Sequence, residues 1–192
     1  HCVSSVLDYM GKPHFDVFLK FWRQYQKLNE EGGTEQYLVP YLMSSHPGCT
    51  IKEAVELAVF LKKHNIRPEQ VQDFYPTPGT ISTAMYYTGL DPYTMQEVYI
   101  PRDPKEKEMQ RALLQYYKKE NKQIVAKALI RAGRRDLIGY GKECLITPDG
   151  LALQQDRKGA VKNGKNSSSK AKTYQRQGNK SGGRNKMQKK KH

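Results

Sequence analysis

Gln36-Tyr37-Leu38-Val39-Pro40-Tyr41-Leu42-Met43-Ser44-Ser45-His46-Pro47-Gly48-Cys49-Thr50 and, further on, Val71-Gln72-Asp73-Phe74-Tyr75-Pro76-Thr77-Pro78-Gly79-Thr80 decide how this chain folds. Each reads as an apolar strand that runs into a turn rich in proline and glycine. Between them residues 51–64 predict one amphipathic helix. Ile51, Ala54, Val55, Ala58 and Leu61 form its apolar stripe, and Thr50 with Glu53 form a capping box at its start. Strand, helix and strand in that order predict two parallel neighbours joined by a crossover. Residues 43–48 and 72–79 should then lie side by side at one end of the pair. In parallel α/β folds ligands gather at the C-terminal ends of the strands, where these two turns are.

The turns supply the candidate residues. His46 sits in a strand-to-helix loop and has a side chain suited to proton transfer; it could equally serve only to bond its own turn. Ser45, Pro47 and Gly48 complete that loop, and Gly48 would allow close backbone approach to a ligand. On the second strand Gln72 and Asp73 alternate, so one of the two polar side chains points to the inner face and needs a partner there. Tyr75, Thr77 and Gly79 belong to a turn whose contacts would be mostly main-chain. Ser44, Ser45 and His46 are adjacent in sequence and are not spaced as a nucleophile and its base.

Outward from this unit, Phe15, Phe18, Phe21, Trp22, Tyr25 and Leu28 recur at helical spacing between Pro13 and Gly32-Gly33, a pattern expected of a packing face. Residues 81–87 and 98–100 read as β-like, with Gly89-Leu90-Asp91-Pro92 as a turn between them, so a hairpin is expected. Asp103 and Pro104 open a further helix as N-cap and first residue, and Met109, Ala112, Leu113 and Tyr116 are its apolar face. Another helix is expected over residues 123–132, ended by Gly133.

The chain has 192 residues and a net charge of +14. Thirteen of the 33 basic residues and none of the 19 acidic ones fall in residues 157–192. The remainder is thus close to neutral, with 20 basic against 19 acidic side chains. The segment from residue 151 onward is expected to be disordered, for want of apolar surface. It could be a solubilising tail or an electrostatic contact to RNA, DNA or the ribosome, without sequence preference. Cys2, Cys49 and Cys144 are scattered and odd in number, which predicts reduced thiols, a cytoplasmic setting and no local metal motif. No apolar run approaches the length of a membrane span. His1 in place of methionine, within what reads as the middle of an element, suggests the C-terminal fragment of a longer protein.

Taken together, residues 1–148 resemble YgiQ-type radical S-adenosylmethionine proteins. Val3-Ser4, Val6-Leu7 and Met10-Gly11-Lys12-Pro13 look like the helix after that family's fourth barrel strand. Gln36-Tyr37-Leu38-Val39-Pro40-Tyr41 with Ser45-His46-Pro47-Gly48 look like the fifth strand and its turn. Gln70-Val71-Gln72-Asp73-Phe74-Tyr75-Pro76 looks like the sixth. Ser82-Thr83, Met85-Tyr86-Tyr87-Thr88-Gly89 and residues 132–139 resemble the C-terminal extension. A strand ending Phe-x-Pro-x-Pro-Gly-Thr is also similar to the last barrel strand of methylthiotransferases.

The resemblance implies an α/β fold: the last strands and helices of a partial (βα)6 radical-SAM barrel over residues 1–80, then a small, mostly helical extension over 81–150. It implies a 4Fe-4S cluster and S-adenosylmethionine in the full-length protein, with Ser45, Pro47, Gly48, Gln72, Asp73, Tyr75, Thr77 and Gly79 on the S-adenosylmethionine or substrate side and His46 as the catalytic candidate. The family holds its cluster with three cysteines spaced CxxxCxxC. This chain has no such triplet and lacks the first four strands. Its expected partner is therefore the missing N-terminal barrel half, and alone it is expected to bind no cluster and to be inactive. A basic-tailed nucleic-acid-binding or ribosome-binding module is the alternative.

Overall fold

The computed structural model describes residues 1–151, so the expectations for residues 157–192 lie outside the described residues. The fold is mixed α/β, mostly helical, with one small parallel sheet. Helix α1 (Ser4–Tyr9) is followed by the long helix α2 (Phe15–Gly32). Strand β1 (Leu42–Ser44) leads into helix α3 (Ile51–Lys63) and then strand β2 (Val71–Asp73). Helices α4 (Ile81–Thr88), α5 (Pro104–Leu114) and α6 (Lys122–Arg131) follow, with short 3-10 turns at Lys119–Asn121 and Arg135–Leu137.

The strand–helix–strand reading holds. β1 and β2 are parallel, with Leu42 opposite Val71, Met43 opposite Gln72 and Ser44 opposite Asp73. The strands are shorter than the apolar runs that contain them. Residues 36–41 lie outside β1, and Tyr37, Val39 and Tyr41 are exposed.

α3 begins as its sequence predicts. The Thr50 hydroxyl accepts from the Lys52 N–H at 3.2 Å, and the Thr50 N–H donates to the Glu53 carboxylate at 2.9 Å. Its stripe of Ile51, Ala54, Val55, Leu57, Ala58 and Leu61 is buried. Ala112, Leu113 and Leu114 of α5 and Val125, Ala126, Ala128 and Leu129 of α6 pack into the same core. The helices after β2 thus share one core with the β1–α3–β2 unit.

The aromatic stripe of α2 packs only in part. Phe15 and Trp22 meet Phe60 of α3, and Trp22 also meets His64. No residue of α2 is buried, and Phe21 is 54% exposed.

Residues 81–87 correct the β expectation: they are helix α4. Thr80 caps it, its hydroxyl accepting from the Thr83 N–H at 3.3 Å, and Gly89 ends it in the left-handed region at φ 71°. Two good caps outweigh the weak preference of isoleucine, threonine and tyrosine for strands. The expected hairpin shrinks to one antiparallel bridge between Leu90 and Glu97. α5 begins where predicted, with Pro104 first, and α6 lies within one residue of its predicted bounds, with Gly133 left-handed after it.

Candidate functional site

Register fixes which side chains share a face of the sheet. Leu42 and Val71 lie against the helical core, and Asp73 receives Arg111 of α5. The Arg111 Nε donates to Asp73 Oδ1 at 2.9 Å, and the Ser44 hydroxyl donates to the same oxygen at 2.5 Å. Leu42, Ser44, Val71 and Asp73 therefore face the helices. Met43 and Gln72 face the other way, and the Tyr41 hydroxyl bonds to the Gln72 side chain on that open side. Of the two polar candidates on β2, Gln72 is the one on the open face, and Asp73 is spent on an ion pair.

The two turns differ sharply. Residues 75 and 77–79 are exposed, with Tyr75 77% accessible. Gly79 is left-handed at φ 81°, and no atom lies within 4 Å of where its β-carbon would be. The Thr80 and Thr83 hydroxyls both donate to the Thr77 carbonyl, at 3.0 and 2.7 Å, which anchors this loop to the start of α4.

The turn after β1 is closed. Ser45, His46, Pro47 and Cys49 are buried. Gly48 does allow a close approach, but by a protein side chain: a β-carbon there would stand 2.1 Å from the Tyr9 ring. Ser45 is left-handed at φ 62°, and its hydroxyl is the one buried side-chain polar atom without a hydrogen-bond partner among the described residues.

His46 is fixed on three sides. Its Nδ1 lies 2.8 Å from the Pro47 carbonyl, its Nε2 2.9 Å from the Ser82 hydroxyl, and Phe74 stands edge-on to its ring. A carbonyl can only accept, so Nδ1 carries the proton, and in the neutral ring Nε2 accepts from Ser82. Burial lowers its pKa below the usual histidine value, against the opposing pull of the Pro47 carbonyl. Ser82 and His46 stand at the distance of a nucleophile and its base, a juxtaposition that sequence adjacency could not reveal because 36 residues separate them.

Helix α5 adds residues with no signal of their own in the sequence. Gln110, fully buried, accepts from the Ser45 N–H at 3.0 Å and donates to the Cys49 carbonyl at 2.9 Å. Glu106, 2% exposed, accepts from the Tyr99 hydroxyl at 2.6 Å and from Arg131 at 2.8 Å. Burial and then the Glu106 bond push the Tyr99 phenol up to about 12.

The three cysteines are free thiols, and they do not form the CxxxCxxC triplet in sequence. Burial pushes the Cys49 thiol up to about 12 and the Cys2 thiol to about 11. Cys144 lies against the Asp136 carbonyl. Among the described residues no group of three His, Cys, Asp or Glu is placed to hold a metal ion. No described helix is long and apolar enough to cross a membrane. Of the candidate residues, Gln72, Tyr75, Thr77 and Gly79 are exposed, whereas Ser45, His46 and Pro47 are enclosed.

Residues 69–192 match the family described as a domain of unknown function (DUF3362). The chain is 57% identical over 146 residues to a UPF0313 protein of Clostridium perfringens strain 13, covering 76% of this chain and 22% of that protein. It is 53% identical over 148 residues to a UPF0313 protein of Methanocella arvoryzae, covering 77% of this chain and 25% of the relative. A UPF0313 protein of Clostridium botulinum strain Okra is 56% identical over 146 residues, which is 76% of this chain and 23% of the relative. The chain therefore spans about a quarter, or less, of the length of these curated relatives. No solved structure matches it.

Proposed function

From the premise that this chain belongs to the DUF3362 family, we propose that it is part of a longer radical S-adenosylmethionine enzyme, to which it contributes two neighbouring strands of the barrel and the helices that brace them. The observation that carries this reading is the β1–α3–β2 unit. Its strands are parallel, and both turns leave the same end of the sheet. The face bearing Met43 and Gln72 is turned away from the helices, as the inner face of a barrel must be. The resemblance of these strands and turns to YgiQ-type proteins supplies the class of chemistry.

In such an enzyme S-adenosylmethionine, beside a 4Fe-4S cluster, supplies an organic radical on one-electron reduction. This chain's own residues take smaller parts. The loop over residues 75–79 offers main-chain edges, and Gln72 offers an amide on the inner face. The packed turn over residues 45–49 keeps water from that end of β1. His46 holds its proton at Nδ1 and its Nε2 against Ser82, so it orients the turn and shifts no proton while so bonded. The cluster ligands belong to the remainder of the polypeptide, because the three cysteines here do not fit them.

The test is anaerobic reconstitution of the full-length Clostridium perfringens relative, with iron and sulfide analysis and a dithionite-driven S-adenosylmethionine cleavage assay. Close to four irons per protein and reductive cleavage are expected there, and no cluster on this chain alone. Absence of both from the reconstituted relative would overturn the proposal.

The charge census favours a second role for residues 157–192, that of non-specific polyanion binding. If about six of the thirteen cations meet phosphates, the logarithm of affinity should fall with the logarithm of salt at a slope of about −4 to −5. Anisotropy of a labelled RNA, comparing the whole chain with one ending at Asp156, tests this. Equal affinity of the two chains would refute it.

A further inference from the structure

The enclosed turn over residues 45–49 is held from outside its own unit. Its two ends meet one side chain, Gln110 of α5, whose Oε1 takes the Ser45 N–H and whose Nε2 reaches the Cys49 carbonyl. Gly48 donates its N–H to the Tyr99 carbonyl at 2.7 Å, and His46 is met by Ser82 of α4. Each of these partners comes after β2, inside the DUF3362 match, whereas the turn precedes it.

Gln110 presents an acceptor and a donor on one planar amide, whatever the pH. An ionised carboxylate lacks the donor, and a thioether lacks the donor and accepts only weakly. The amide is itself positioned, because Nε2 also faces Glu106 Oε1 at 3.4 Å and that carboxylate is fixed by Tyr99 and Arg131. The arrangement holds Ser45 in the left-handed region, where a residue with a β-carbon stays only if its surroundings hold it there.

We propose that Gln110 is a positioning residue: it clamps both ends of the 45–49 turn and thereby sets the place and tautomer of His46 at the C-terminal end of β1. That this end lines a ligand site rests on the proposed function above; the clamp itself does not. It makes the extension after β2 a working part of the candidate site.

Three forms of the whole chain decide it: the natural one, Gln110→Met and Gln110→Glu. The readouts are the Ser45 amide exchange, corrected for its intrinsic rate, and the ring nitrogen shifts of His46, assigned with His46→Gln. Methionine matches the volume without the bonds, so Ser45 protection should fall at least about tenfold and the His46 shifts should move toward those of a free, tautomer-averaged ring. Glutamate is isosteric and regains the donor when protonated. Gln110→Glu should therefore match the natural chain near pH 5 and lose the protection near pH 8, as its carboxylate ionises beside Glu106. A Gln110→Met chain with natural exchange and natural His46 shifts would overturn the clamp, leaving Gln110 a space-filler. If that variant fails to fold, Ser45 protection of Gln110→Glu that is equal near pH 5 and at a higher pH where the carboxyl carbon shift shows residue 110 ionised overturns it instead. S-adenosylmethionine enters none of these measurements, so their failure is separable from failure of the proposed function.

Discussion

At Gly48 and Tyr9 two residues far apart in sequence occupy what would otherwise be one space. A β-carbon at Gly48 would lie 2.1 Å from the Tyr9 ring, on a backbone already left-handed at φ 83°. Gly48→Ala should cost about 2–4 kcal/mol, the sum of the left-handed penalty and the overpacking. Tyr9→Ala should relieve only the second part. A double-mutant cycle by urea unfolding should then show at least about 1 kcal/mol of coupling, and strict additivity would contradict the contact. His46 gives a pH dependence. Its folded pKa lies below the ordinary value of 6.5 because burial disfavours the imidazolium. The unfolded chain then takes up the proton first. The His46 contribution to stability should be level above about pH 7 and fall from about pH 6.5 downward, until the folded pKa is passed. His46→Gln should flatten that part of the profile in thermal melts between pH 8 and pH 5, measured against the natural chain.

Among the elements, α4 depends most on its ends. Thr80→Ala removes the hydroxyl that accepts from Thr83 and donates to the Thr77 carbonyl, and should cost about 1 kcal/mol. Amides 81–84 should exchange faster while those of α6 do not. This helix also marks the limit of what the sequence discloses. Ile81, Thr83, Tyr86 and Tyr87 suggest a strand when read by preference, and Thr80 and Gly89 suggest a helix when read by caps; the caps prevailed. α3 and α5 were legible because stripe and cap agree there, at Thr50 with Glu53 and at Asp103 with Pro104. The parallel pair was legible for the same reason: apolar runs, turn residues and the intervening helix pointed one way. The length of the strands was not, because residues 36–41 carry strand-forming side chains with nothing in the described fold to pair them.

For the whole molecule, the core formed by α3, α5 and α6 joins the β1–α3–β2 unit to the helices after β2. Leu113, fully buried near the C-terminal end of α5, is expected to cost about 2–5 kcal/mol as Leu113→Ala in urea unfolding. Because α5 also carries Gln110 and Arg111, damage to that core should reach the ends of both strands. Legibility of the candidate site tracks chain distance. His46, Gln72 and the residues of the 75–79 loop stood out because strand-end turns can be recognised locally. Ser82, Tyr99, Glu106 and Gln110 did not, since a glutamine or serine on a helix carries no mark until the fold brings it 36 or 65 residues back along the chain. Hydrogen exchange on the full-length Clostridium perfringens relative, with and without S-adenosylmethionine, tests the central claim most directly. The segment aligned with residues 72–79 should gain protection on binding. Protection confined to other segments, with that one unchanged, would contradict the placement of the ligand at the ends of these strands.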